Sequence, residues 1–273
     1  MNLVRSFIEF NCRWSNKFDS LAIPEKFRKD GNDDFRRSFA RLFLKPGMKI
    51  VDVGGGKQPY IDRETKRRLG LTVTGLDIDA GELSKAPKGL YDETICADIT
   101  SFSGDATADL VICQALLEHV KDVSAAFESI ASILKKDGTA IIFVPSRNAV
   151  FARLNLLLPE RLKRSLMFFI FPHMRTGHGF PSYYDHCTPA DFRKIAAARG
   201  LRLVDSRLYY QSSYFSFLFP VYVLWRLWVI LFWLAKRDQA AETFSMAFVK
   251  THHCDPGISE GRKREVTDDA MAP

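Results

Sequence analysis

The stretch Met48-Lys-Ile-Val-Asp-Val-Gly-Gly-Gly56 restricts what this chain can fold into more than any other part of it. A short apolar run that closes on an acid and three glycines reads as a buried strand entering a turn free of side chains. Glycine at that point lets backbone approach a ligand closely, and the helix start beyond it offers unpaired N–H groups. The turn is therefore a candidate cradle for a nucleotide or cofactor. A glycine cluster alone is equally a plain loop, so the weight rests on the residues downstream of it.

Downstream, strands and helices alternate. Strands are expected at Lys49–Val53, Leu71–Leu76, Glu93–Ala97, Asp109–Cys113 and Thr139–Val144, with an amphipathic helix Val123–Lys136 stopped by Asp137-Gly138. Such alternation means parallel strands with crossover helices on both faces. Ahead of it, residues 1–45 read as two helices, the second from Asp33 to Leu44 and stopped by Pro46-Gly47. Behind it, Thr188-Pro-Ala-Asp191 is a capping box that opens a helix to Arg199, and Gly200 closes that helix. Strands Leu201–Tyr210 and Thr243–Lys250 complete the count.

Two segments break the pattern. Phe151–Arg175 is apolar but carries Arg153, Arg161, Lys163, Arg164 and Arg175 against the single acid Glu160. Tyr214–Ala235 is almost wholly apolar and holds Trp225, Trp228 and Trp233. The expected organisation is a helical cap over 1–45 and a core over 46–250 with inserts at 151–187 and 211–241. The polar tail 251–273 is expected to be disordered.

With 273 residues, 47% of them hydrophobic, the chain can bury a full core, and its net charge of +7 suits an acidic partner. The five cysteines (Cys12, Cys96, Cys113, Cys187, Cys254) form no C-x-x-C pair, which argues for a reducing compartment and against structural zinc. Arg5 and Glu9 interrupt the N-terminal apolar run, so an amphipathic helix on the cytoplasmic side is expected there rather than a signal peptide.

Acids recur at the ends of the expected strands. Asp77 lies about 20 residues past the glycines, where a carboxylate grips a ribose hydroxyl pair. Asp98 closes the third strand and Gln114 the fourth, all at the carboxyl edge where open α/β sheets bind ligands. From these residues the chain resembles the class I S-adenosylmethionine-dependent methyltransferases, in particular the broad small-molecule group. The resemblance is carried by Val51-Asp-Val-Gly-Gly-Gly56, Gly75-Leu-Asp-Ile-Asp79, Ala97-Asp-Ile99, Ala108–Val120, Ile133-Leu-Lys-Lys-Asp-Gly138 and Pro145-Ser-Arg-Asn148. It covers 45–148 well and 188–250 loosely. It implies a doubly wound, mostly parallel seven-stranded sheet of Rossmann-like type with a terminal antiparallel strand, N-terminal helices and two apolar helical inserts.

The resemblance further implies S-adenosylmethionine as cofactor, with Gly54, Gly55 and Gly56 against its amino-acid part. Asp77 with Ile78 would take the ribose, Asp98 with Ile99 the adenine, and Gln114 would line the methyl-donor site. Asp52 joins this set, although it reads equally as a cap on the turn's backbone. One departure is that Gln58 replaces the third glycine of the family pattern. Pro59 occupies the last position a G-x-G-x-x-G dinucleotide turn needs, which disfavours hydride transfer. Some quinone-type relatives carry Glu-x-x-Glu-His here. Ala115 stands at the first acid, so Glu118 and His119 are read as packing and no metal is expected.

For the chemistry, the titratable stretch His173–His186 suggests His178 or His186 as general base and Tyr184 as a substrate contact. Tyr214–Ala235 is long enough to cross a bilayer, but Arg226 near its middle costs roughly 2.5–3.5 kcal/mol and Pro220 breaks its first third. If the flanking strands are neighbours, both ends of the insert return to one side. A peripheral contact through 151–175 and 211–235, at the inner face of the cytoplasmic membrane, is expected. The expected function is methyl transfer, to oxygen by preference, on a lipid-like or lipid-linked acceptor. The alternatives are a soluble-metabolite methyltransferase whose inserts make a dimer interface, and a non-catalytic cofactor-binding membrane module. No nucleic-acid partner is expected, because no Asn/Asp-Pro-Pro-Tyr/Phe motif is present.

Overall fold

The computed structural model describes residues 3–159, 180–212 and 214–251. Seven strands form one sheet: β1 (Lys49–Val53), β2 (Thr72–Asp77), β3 (Glu93–Cys96), β4 (Ala108–Gln114), β5 (Leu134–Pro145), β6 (Leu201–Tyr209) and β7 (Thr243–Lys250). Their order is β3-β2-β1-β4-β5-β7-β6, and β7 alone runs against the rest. This is the doubly wound arrangement expected from the alternation.

Because both faces are covered, the central strands are apolar on successive residues. In β5, Ala140, Ile142 and Val144 face helices α5 (Val123–Ile133) and α7 (Pro189–Ala198) through Phe127, Ile130 and Phe192. The alternate residues Ile141 and Phe143 meet Phe35, Phe39 and Ala40 on the other face. Those three follow α2 (Gly31–Asp34), in the π turn over Phe35–Phe39 and the 3-10 turn over Ala40–Phe43 that continue it. The expected second N-terminal helix is thus present but wound irregularly. Asp34 ties it to the sheet, accepting from Arg207 Nη1 at 2.8 Å and Tyr209 OH at 2.7 Å.

Two expected boundaries move. Helix α5 stops at Ile133 rather than Lys136, because Leu134 is fully buried and already pairs with Ala108 in the sheet. Asp137 adopts a left-handed φ of 60°, so Asp137-Gly138 bends the strand at a register shift instead of capping the helix. Likewise Pro220 does not break its helix. It sits in the first turn of α8 (Phe219–Lys236), where proline costs no hydrogen bond.

Helix α8 runs beside the N-terminal α1 (Leu3–Ala22), joined by Phe219 N donating to Asn11 Oδ1 (2.9 Å) and Arg226 Nε donating to Asp19 Oδ1 (3.0 Å). Arg226 is 1% exposed. Its two remaining nitrogens donate to Tyr210 O and Phe27 O, each at 2.7 Å. The arginine expected to penalise bilayer insertion is therefore fully satisfied inside protein. Tyr209 and Thr243, which bracket the insert, are cross-strand partners, so it leaves and re-enters the sheet at one place.

Candidate functional site

The carboxyl ends of β1, β2, β3 and β4 open into a cleft of about 450 Å³, a size that suits a nucleoside-sized ligand. Its lining includes Gly54, Asp77, Ile78, Asp98, Ile99 and His119, so five of the sequence-derived cofactor residues meet in one place. Gly54 bridges β1 to the turn with φ +76°, and its N–H donates to Leu76 O at 2.7 Å. A Cβ there would lie 2.8 Å from the Leu116 side chain, so only glycine keeps this wall flat.

Beyond β2, Asp77 Oδ1 accepts from Asp79 N at 2.9 Å. Burial raises its pKa, with Asp79 and Glu82 adding to the effect. Asp98 folds back on Thr100, accepting from its N–H and hydroxyl at 2.8 Å each. Ile78 is 59% exposed and offers an apolar platform beside Asp77, while Ile99 is buried beneath the cleft.

Several expected site residues stand elsewhere. Asp52 lies beneath the turn, 2% exposed, and accepts from Tyr60 N (2.7 Å) and Tyr91 OH (3.2 Å). Desolvation pushes its carboxyl up to about 6, so it braces the loop rather than facing the cleft. Gly55 packs against Asp52 and Tyr91, where any side chain would collide, and neither it nor Gly56 lines the cleft. Gln114 is drawn away: its Nε2 donates to Asn32 Oδ1 at 2.6 Å, joining β4 to the N-terminal segment.

The expected base and substrate contact also move. His178 lies outside the described residues, as do Arg161, Lys163, Arg164 and Arg175. The ring of His186 is largely exposed and pairs with Asp185 at 2.8 Å, outside the cleft. Tyr184 is 4% exposed within the main core, so its neighbour Tyr183 forms the wall instead. The residue that spacing alone misses is His119, which the sequence reads as packing. Loop 180–187 brings the cleft wall to it: Tyr183 N and Tyr184 N both donate to Glu118 O, at 2.7 and 3.0 Å. His119 Nδ1 lies 2.9 Å from Pro181 O and 3.3 Å from Ser182 Oγ. A carbonyl only accepts, so the neutral ring carries its proton on Nδ1 and leaves the Nε2 lone pair free.

A sequence profile described as a methyltransferase domain matches residues 27–206. The chain belongs to this methyltransferase family. Among similar proteins, the ubiquinone biosynthesis O-methyltransferase of Cupriavidus pinatubonensis is 25% identical over 168 residues, 59% of this chain. That match takes in 63% of the relative, so the chain spans less than two thirds of its length. Two solved structures share the fold. A chain of the complex between the Haloferax volcanii Trm112 methyltransferase activator and the putative methyltransferase superposes with TM-score 0.53 at 14% identity, covering 90% of this chain and 98% of that one. A Haemonchus contortus phosphoethanolamine N-methyltransferase, bound to phosphomonomethylethanolamine and S-adenosylhomocysteine, gives 0.51 at 16% identity, covering 92% and 61%.

In this chain the cradle fits S-adenosylmethionine: a flat glycine wall at Gly54, a free-edged carboxylate at Asp77 and an apolar shelf at Ile78 and Ile99. Among the described residues no group of three or more His, Cys, Asp or Glu comes together to hold a metal. Beside His119, Glu118 Oε1 is 3.8 Å from Nε2, and Oε2 is buried without a hydrogen-bond partner among the described residues. Burial pushes the Glu118 carboxyl up to about 8.

The native state therefore holds the Glu118 proton more tightly than the unfolded chain, whose pKa stays near 4.5. Stability falls as pH rises between about 4.5 and 8, with a total of order a few kcal/mol. Glu118→Gln should flatten that slope in urea titrations run across this range. Residual slopes come from Glu242 and Asp52, whose carboxyls burial pushes to about 7 and about 6. Identical slopes in variant and parent would show that Glu118 ionises freely.

Proposed function

We propose that this protein transfers the methyl group of S-adenosylmethionine to a hydroxyl oxygen of an amphiphilic, lipid-like acceptor presented at a membrane surface. The observation that carries this reading is the outer wall of the cleft. Leu116, Val120, Phe180, Pro181 and Tyr183 make it mostly apolar beside Lys121 and Asp122, and His119 is its one imidazole among the described residues. A mostly apolar wall with one imidazole suits a hydroxyl on an apolar ring or chain. It does not suit a strongly hydrated metabolite. The similarity to enzymes named for oxygen methylation in ubiquinone biosynthesis supports the same choice of atom and acceptor class. Quinone precursors, glycolipids and polyprenyl-linked saccharides all meet this description.

When bound, S-adenosylmethionine supplies an activated methyl carbon on a sulfonium whose departure needs no acid. Gly54, Asp77, Ile78, Asp98 and Ile99 would hold it, with Asp77 on the ribose hydroxyls and the Ile99 shelf beside the base. His119 takes the acceptor's hydroxyl proton on Nε2, as the Nδ1 contact to Pro181 O dictates. Phe180 and Tyr183 exclude water from the reacting oxygen.

The test is incubation of the purified chain with methyl-labelled S-adenosylmethionine and a total membrane-lipid extract. Label should partition into the organic phase as a methyl ether. Label found only in water-soluble products from a cell extract would replace the lipid reading with a metabolite enzyme. No incorporation into either, with cofactor binding intact, would make the protein a binding module.

A further inference from the structure

Helix α1 is packed with its polar side inward. Its outward stripe, Leu3, Phe7, Phe10, Trp14 and Leu21, recurs at helical spacing and is exposed throughout. The residues it buries are Asn11, Ser15 and Asp19. Helix α8 repeats the pattern: Val221, Leu224, Leu227, Trp228, Leu231 and Leu234 all face outward, with Leu224 68% and Leu231 62% exposed. Between the helices lies a seam of hydrogen bonds. Ser15 Oγ donates to Ser216 O (3.1 Å), Tyr222 OH to Asp19 Oδ2 (2.7 Å) and Arg226 Nε to Asp19 Oδ1 (3.0 Å).

A helix packed in water buries its apolar stripe and turns its charges out. Polar groups satisfied within the pair, with leucines and tryptophans outward, are what an apolar surrounding selects. The charges at the border name that surrounding. Arg13 and Lys17 flank the α1 stripe, with Lys17 Nζ 5.2 Å from the Trp14 ring. Lys26 and Arg237 sit 3.7 and 4.5 Å from the Trp233 ring. Of the nearby acids, Glu9 is bonded to Arg5 and Asp238 lies 3.5 Å from Arg193, leaving Glu25 beside Lys26. Tryptophans beside cations at the edge of an apolar face match the headgroup level of an anionic bilayer.

We infer that α1 and α8 together form a docking face for an anionic lipid bilayer, lying in its surface rather than crossing it. This rests on the proposed reading of the cleft as serving an amphiphilic acceptor, and adds to it the partner that presents the acceptor. Crossing is excluded because the α8 insert leaves and re-enters the sheet at the paired residues Tyr209 and Thr243. A second copy of the chain is the poorer occupant, because it would set the two cationic borders against each other. The N-terminal helix thereby becomes half of the face, whereas the sequence pointed to the two inserts.

The experiment is cosedimentation of the full chain with vesicles of phosphatidylcholine and phosphatidylglycerol in equal parts, and with phosphatidylcholine alone. The protein should pellet with the mixed vesicles, far less with the neutral ones, and less at high salt. The double variant Leu224→Glu/Leu231→Glu should bind at least about a hundredfold more weakly, since two leucines leave the acyl boundary. Its thermal midpoint should hold, because both residues already face outward. Two results overturn the inference: parent protein that stays in the supernatant with both vesicles, or a dimer in light scattering that the double variant splits. Calorimetry with S-adenosylmethionine on the same preparations separates the two readings. Intact cofactor binding without pelleting removes the docking face alone, whereas pelleting without cofactor binding removes the reading of the cleft and keeps the face.

Discussion

Asp77→Ala should weaken S-adenosylmethionine binding by about two to four orders of magnitude while leaving the fold intact. One Asp77 oxygen is taken by Asp79 N at 2.9 Å, and the carboxylate stands on the cleft wall at the end of β2. Two hydrogen bonds from ribose hydroxyls to a charged acceptor are worth about 1.5–3 kcal/mol each, and about 1.4 kcal/mol is tenfold in affinity. The fold should survive because the surroundings of Asp77 disfavour its charge. Burial and the nearby Asp79 and Glu82 raise its pKa, so removing the charge relieves repulsion. Isothermal titration decides the matter. Equal affinity in variant and parent, or no binding by the parent, would overturn the assignment of the cleft.

His119→Ala should lower kcat by about 10²–10⁴-fold, the usual contribution of a general base, with the affinity for S-adenosylmethionine unchanged. The ring lines the cleft with Phe180 and Tyr183, and its tautomer is set by the contact from Nδ1 to Pro181 O at 2.9 Å. Loss should appear in kcat rather than in KM, because the ring's work is proton transfer, not ribose or adenine recognition. His186→Ala should leave turnover unchanged, since that ring is exposed and occupied by Asp185. Full activity in His119→Ala, together with loss in His178→Ala, would transfer the base to the 160–179 segment.

How legible the molecule is from its sequence depends on the range of the force involved. Strand β1, the capping box at Thr188 and strand β7 follow the sequence reading closely, because apolar runs, proline and cap residues act within a few neighbours. The end of α5 falls short of its expected place because Leu134 is claimed by Ala108, a strand partner 26 residues away, and no local signal competes with that pairing. Gln114 and His119 exchange expected roles for a similar reason. The first is held by Asn32, and the second is positioned by Pro181, 62 residues on. Such partners leave no periodic trace.

The order of β–α units, the glycine bend and the carboxylate at the end of β2 were thus determined by the sequence itself. They depend on hydrophobic period and on backbone freedom, which neighbouring residues settle. Only the tertiary structure decided that Asp52 supports the bend from beneath, that Arg226 is spent on Asp19 and two carbonyls, and that α1 turns its leucines outward. A buried charge or polar stripe must find its partners somewhere, and which distant residues supply them is a property of the packed chain alone.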